Sequence, residues 1–277
     1  MKNKWSKHPI FWEDKNNRYC SVVFSWQLYK LLEMYKRIGP KTKKQIVIGG
    51  PATVSLRGLI PEEIIVGRNR PSLYRHNPLA TRTSTGCPRK CAFCIVPVNE
   101  GLIKELKVWE IKPIVIDNNL LACSKKHFDF VIDNLKTLDW CDFNQGLDSR
   151  LLTKYHAERL SELKSPIIRL SFDHLSLEKS FLKAYQLLKN AGIANYKIRV
   201  YVLIGYKDTP ASALYRLQLV KDLKVWPAPM RYQPINILKR NSFIEKGWTN
   251  KELIRYMRYW QNLRYTSKVP FKEFIYE

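Results

Sequence analysis

Of the six cysteines in the chain, three fall within eight residues, in Thr85-Gly86-Cys87-Pro88-Arg89-Lys90-Cys91-Ala92-Phe93-Cys94. The spacing is C-x3-C-x2-C. Three thiols on one short loop cannot pair as disulfides without leaving one over, so a metal accounts for them better. Counting ligands separates the metals. A structural zinc wants four donors. Its fourth would have to be His76 or Cys123, and neither stands at a zinc-finger spacing from the loop. A cubane of four irons is usually held by four thiolates. Three would leave one iron open to a substrate or cofactor, as a catalytic zinc keeps one position open. Cys20, Cys123 and Cys141 are scattered along the chain and read as core or half-buried thiols.

The cysteine loop resembles the signature of the radical S-adenosylmethionine (radical SAM) superfamily, and Phe93, the aromatic before the last cysteine, matches its pattern. The resemblance implies a 4Fe-4S cluster on Cys87, Cys91 and Cys94. The open iron would be chelated by the amino and carboxylate groups of S-adenosyl-L-methionine. It implies an external electron donor, reductive cleavage to methionine and a 5′-deoxyadenosyl radical, and removal of a hydrogen atom from a substrate. It covers residues 80–240 well and the two ends poorly.

Such a loop needs elements to hold it. Strand-like runs lie at residues 80–85, 113–117, 140–144, 167–171, 198–204 and 230–234, recurring about every 30 residues. Helical patterns separate them. Ser124 can cap a helix carrying Phe128, Val131, Ile132, Leu135 and Leu138 at 3–4 spacing. Thr153 can cap a second with Ala157 and Leu160, and Ser176 opens a third that stops near Gly192. Pro210 suits the first turn of a fourth, with Leu214, Leu217, Val220 and Leu223 inward. Residues 102–109 are read as the first crossover helix. Crossovers this long mean parallel strands with right-handed connections. The expected fold class is therefore α/β, a partial (β/α)6 TIM-like barrel over residues 79–240, which the resemblance also implies. A small basic α/β appendage over 1–78 precedes it, and a helical segment over 241–277 closes the barrel.

Barrel chemistry sits at the C-terminal ends of the strands, and the cysteine loop follows the first. Asp117, Asn118 and Asn119 close the second strand. There the superfamily carries a motif, usually Gly-Gly-Glu, that touches the amino group of S-adenosylmethionine. Asp-Asn-Asn departs from it, and a turn that starts a helix is the alternative. A dense polar run, residues 144–150, follows the third strand, as site or as loop cap. Arg169 and Ser171, two apart on the fourth strand, share a face. An arginine pointing into a barrel needs an anion, either the methionine carboxylate or Asp142 or Asp173. Gly205 resembles the fifth-strand glycine motif that approaches the adenine. Arg231, Tyr232 and Gln233 end the sixth strand and could face substrate.

The 277 residues are 45% hydrophobic and 26% charged, which excludes a disordered polymer and a disulfide miniprotein. No run of about 18 apolar residues occurs, and residues 1–5 lead into no secretory signal. A cytoplasmic location with reduced thiols and no membrane partner is expected. The formal net charge is +24, and residues 1–90 alone hold 18 basic and 5 acidic side chains. The basic residues cluster at Lys36, Arg37, Lys41, Lys43 and Lys44, and at Arg68, Arg70, Arg75, Arg82, Arg89 and Lys90. Such a surplus attracts polyanions, so RNA or DNA is the expected partner.

At the front, a helix over 22–38, a strand over 45–51 ending in Gly49-Gly50-Pro51, and a segment over 61–67 resemble the tail of the cobalamin-binding domain of methylthiotransferase-like radical enzymes. The domain is shortened and no D-x-H-x-x-G occurs, so no histidine is offered to cobalt. It reads as a nucleic-acid or substrate platform, or as a packing flap. Residues 254–265 interleave arginine with aromatics, which suits base stacking or a helix closing the barrel. Three functions follow: a radical enzyme modifying RNA or DNA, a radical enzyme acting on a small molecule or peptide, and a non-catalytic zinc-containing nucleic-acid-binding protein.

Overall fold

Two units make up the computed structural model, which describes residues 5–38, 44–67 and 72–275. One comprises residues 1–80 with 233–243, the other residues 81–232 with 244–277. Lys41, Lys43, Arg68 and Arg70 of the basic clusters lie outside the described residues.

In the first unit, β1 (Ile10–Glu13) runs antiparallel to β2 (Asn17–Ser21). Asp14 closes the turn, its Oδ1 accepting from the N–H groups of Asn16 and Asn17 at 2.8 Å. Helix α1 (Ser25–Ile38) leads to β3 (Gln45–Gly49), parallel to β2, and β4 (Ile65–Val66) is parallel to β3. The helix starts later than the sequence suggests. Val22 N–H donates to Gly49 O at 2.8 Å, and Gln27 Oε1 takes the N–H groups of Val23 and Phe24 at 3.1 Å. Gly50 has φ +106°, and a Cβ there would lie 2.2 Å from Val22 O, so only glycine fits before α2 (Pro51–Ser55). Helix α3 (Leu73–His76) ends near the boundary. Cys20, Val22, Leu28, Leu31, Ile48 and Ile64 form the core. Residues 233–243, expected to divide between the barrel and the C-terminal segment, belong here. Ile237 O accepts from Ser25 Oγ at 2.6 Å, and Leu238 packs on the core.

The second unit is built on a six-stranded parallel sheet ordered β12-β11-β10-β9-β8-β5. Its strands are β5 (Ala80–Thr81), β8 (Ile114–Val115), β9 (Cys141–Phe143), β10 (Pro166–Ser171), β11 (Ile198–Ile204) and β12 (Trp226–Arg231). The run expected as one strand over 80–85 breaks. Ser84–Thr85 forms β6, antiparallel to β7 (Lys104–Glu105), with the short helix α4 (Val96–Asn99) between them. Residues 102–109 are therefore not the expected helix. Leu102 and Val108 are 68% and 89% exposed, leaving no apolar stripe to bury, and Leu106 N–H bonds Thr83 O at 2.8 Å.

Helices α5 (Lys125–Leu135) and α6 (Lys154–Ser161) begin at the expected caps, Ser124 and Thr153, and α8 (Pro210–Asp222) has Pro210 in its first turn as expected, with Thr209 as its cap. Helix α7 (Glu178–Asn190) starts two residues after Ser176, because residues 175–177 form a tighter turn led by His174. Helices α9 (Asn250–Trp260) and α10 (Leu263–Lys268) complete the unit. One apolar core unites Phe128, Phe143, Phe172, Phe181 and Leu188 with Tyr256, Tyr259 and Trp260 of α9. The aromatic stripe of α9 is thus core, not a stacking surface for bases.

β12 begins four residues before the expected run and contains Pro227 and Pro229. Tyr232 N–H donates to Ile204 O, so by alternation the even-numbered residues of β12 bond β11. Both prolines fall at outward positions of an edge strand, where no donor is needed. Among the described residues no helix is long and apolar enough to cross a membrane.

Candidate metal centre

The parallel strands deliver their C-terminal ends to one edge of the sheet, and the cysteine loop lies along that edge. Gly86 opens it with φ +78°, and a Cβ there would sit 2.1 Å from Leu102 O. Its N–H donates to Glu100 Oε2 at 2.9 Å, and Cys87 N–H donates to Gly101 O at 3.0 Å. Cys94 N–H donates to Cys91 O at 2.9 Å, closing a turn. The loop meets several of those strand ends. Asn119, after β8, donates from Nδ2 to Cys87 Sγ at 3.4 Å. Asp148, after β9, accepts from Arg89 Nε at 3.0 Å, and its neighbour Arg150 acts electrostatically on Cys91. Asp173, after β10, acts electrostatically on Cys94. Phe93 meets Tyr206, after β11, edge to face at 5.5 Å, and Tyr206 leans on Tyr232, after β12, at 4.5 Å.

The electrostatics differ along the loop. Burial, then the neighbouring Cys91 and Cys87, pushes the Cys94 thiol up. Burial pushes Asp173 up to about 6 against the pull of Arg216 and Arg150. Asp148 is buried too, but Arg150 and Arg89 outweigh the burial and hold its carboxyl below the usual range. Cys20 and Cys141, pushed up to about 12 by burial, and Cys123, to about 11, lie apart from the loop as core or half-buried thiols.

The expected site residues separate. Phe93 and Asn119 join the cysteines. Asn118 donates to Glu100 Oε2 at 2.7 Å. Asp117 turns inward. Its Oδ1 takes the N–H groups of Thr83 and Ser84 at 2.6 and 3.0 Å, and Thr83 Oγ1 bonds the other oxygen, with His127 behind at 3.3 Å. It holds the β5–β6 break. Arg169 finds its anion in Asp142, with Nε and Nη2 each 2.6 Å from a carboxylate oxygen, and its Nη1 donates to Tyr201 Oη at 2.7 Å. Of the anions considered, Asp142 is the partner. Ser171 accepts at its carbonyl from Ser149 Oγ at 3.3 Å. Gly205 has φ +74°, its N–H donates to Asp208 Oδ1 at 3.0 Å, and its Cβ position faces Leu253 of α9. The turn explains this glycine. Gln233 belongs to the first unit, where its amide holds a turn with Lys239 and Asn241.

Three residues escaped the sequence reading. Glu100 ties Gly86, Arg82 and Asn118 together, a role no local pattern announces. Asp148 gathers Arg89, Arg150 and Asn119; its only signal was the polar run after the third strand. Arg216, 0% exposed, donates to the carbonyls of Phe172, Asp173 and Leu203 at 2.8–3.0 Å and to Asp208 at 2.5 Å, locking the ends of β10 and β11.

What these donors fit follows from their chemistry. A lone zinc needs its donors to converge within about 2.3 Å of one point. Among the described residues no three of His, Cys, Asp and Glu do so, and His76 instead bonds Ser21 Oγ at 2.8 Å. A cubane places each thiolate on a different iron, so the sulfurs need not meet at one point. Three neighbouring thiols with Arg150, Arg89 and Asn119 turned toward the loop suit such a group. Among the described residues Asn119 Oδ1, on a residue only 2% exposed, has no hydrogen-bond donor facing it. No family model matches this chain, and no curated protein matches it.

Proposed function

We propose that the chain is a radical S-adenosylmethionine enzyme with a partial (β/α)6 barrel, carrying a 4Fe-4S cluster on Cys87, Cys91 and Cys94. The observation that supports this most is that a C-x3-C-x2-C loop lies across the ends of the parallel strands, Cys87 and Arg89 reaching Asn119 and Asp148 after β8 and β9, and Phe93 reaching Tyr206 after β11. When bound, the cluster would pass one electron from an external donor to the sulfonium, releasing methionine and a 5′-deoxyadenosyl radical that becomes 5′-deoxyadenosine on taking a hydrogen atom from substrate. The protein's part is to bind and orient. Asn119 Oδ1 would accept from the ammonium of the methionine moiety. Phe93, Tyr206 and Tyr232 offer ring surfaces for a flat heterocycle. Asp117, Arg169 and Gly205 shape the edge through their bonds to Thr83, Asp142 and Asp208.

A nucleic-acid substrate is favoured by the net charge of +24. The test is anaerobic reconstitution with iron and sulfide, then dithionite and S-adenosylmethionine, with and without RNA or DNA. The expected result is 5′-deoxyadenosine from the wild type and none from Cys91→Ala. Zinc retained in place of a cluster would overturn the enzyme reading. Turnover with no salt-dependent affinity for RNA or DNA would move the substrate to a small molecule or peptide.

A further inference from the structure

The Cys87 sulfur of the loop is a hydrogen-bond acceptor, and the side-chain donors around the loop converge on one carboxylate. Cys87 Sγ accepts from Arg89 N–H and from Asn119 Nδ2, both at 3.4 Å. The Arg150 guanidinium acts electrostatically on Cys91. Asp148, its side chain 8% exposed, accepts from Arg150 Nε at 2.7 Å and Nη2 at 3.0 Å, from Arg89 Nε at 3.0 Å and from Asn119 Nδ2 at 3.4 Å. A single anion thus holds two guanidiniums and one amide beside the sulfurs. Arg150 and Arg89 thus bring two positive charges to the loop, set against the carboxylates of Asp148 and Asp173. Sulfur hydrogen bonds and nearby charge are among the levers that set an iron–sulfur potential. Donors to sulfur and positive charge both favour the more negative, reduced cluster.

We propose that Arg150, held by Asp148, is a positioning residue that raises the reduction potential of the cluster, bringing it within reach of the electron donor. The inference rests on the cluster reading above. It concerns a pair of residues after β9 that holds the cluster's sulfurs in a chosen electrostatic state rather than binding the substrate.

The test is a redox titration followed by electron paramagnetic resonance on the full chain, reconstituted anaerobically, with iron and sulfide measured in each sample. Arg150→Met is expected to keep the cluster while its reduction equilibrium falls about tenfold, a downward shift of about 59 mV for one electron. Arg150→Lys, which keeps the charge but not the fork, is expected to fall less. Asp148→Asn separates holding from charge. Loss of the anion alone would raise the potential, whereas release of the held donors lowers it, and a fall is expected. An unchanged potential in Arg150→Met, or a rise in Asp148→Asn, overturns the inference. If Arg150→Met takes up no iron, the Arg150→Lys and Asp148→Asn titrations decide by the same signs. A wild type that takes up no cluster defeats the underlying reading instead, and the iron and sulfide analysis shows which has failed.

Discussion

Arg169 with Asp142, inside the sheet, and Arg150 with Asp148, at its C-terminal edge, are the same chemical pair in different settings. Both are forked contacts, with distances of 2.6 Å twice in the first and 2.7 and 3.0 Å in the second. The first closes on itself. Arg169 spends its remaining donor on Tyr201 Oη, which donates onward to the backbone of Asn144. The second stays open. Its carboxylate also takes Arg89 and Asn119, and both of those reach the Cys87 sulfur. A closed pair fixes neighbouring strands; an open one passes its polarity to something else. Sequence alone shows only four charged residues, since the distinction lies in where the leftover donors point.

The largest effect should come from breaking the closed pair. Arg169→Met leaves the Asp142 carboxylate buried without its partner and should cost about 3–5 kcal/mol in urea unfolding. Adding Asp142→Leu should recover most of that loss; a double variant as unstable as the single one would show that the pair does more than hold strands. Gly86→Ala comes next. The positive φ and a Cβ 2.1 Å from Leu102 O should cost about 3 kcal/mol and lower iron uptake together. Uptake at the wild-type level would show that the loop tolerates a shifted start.

At the open pair, Arg150→Met should change unfolding by less than about 1 kcal/mol, because the arginine is 35% exposed. A loss as large as that of Arg169→Met would erase the contrast. The smallest effect belongs to the first unit. Burial depresses the protonated form of His76, whose Nε2 bonds Ser21 Oγ. The unfolded chain therefore binds more protons near and below about pH 6.5. Stability should be full above that pH and fall as pH drops through it. His76→Gln should flatten this slope, and an unaltered slope would assign it to other groups.

Much of the second unit was legible because its signals are local. Ser124 and Thr153 cap α5 and α6 as their side chains dictate, and β10 and β11 are dense in β-branched residues. What escaped depends on distant partners. Residues 102–109 have a helical composition but no surface to bury against, so β7 pairs with β6 instead. Pro227 and Pro229 look like breakers until the outward side of β12 is known. The β1–β2 hairpin turns on Asp14 without a glycine. At the site, the cysteines declare themselves by spacing, whereas Glu100 and Asp148 are ordinary carboxylates until folding brings three donors to each.

Those two prolines have a consequence at high concentration. A sheet grows into a filament when a foreign strand finds a free row of N–H and C=O groups to copy. At two successive outward positions of β12 the N–H is missing, because the ring occupies it. An incoming strand would meet carbonyls without their matching donors and lose bonds at both steps. The same residues that disguise the last strand in the sequence cap the sheet against runaway self-assembly, and Gln261, directly after α9, adds to the cover by donating to the Pro229 carbonyl at 3.4 Å.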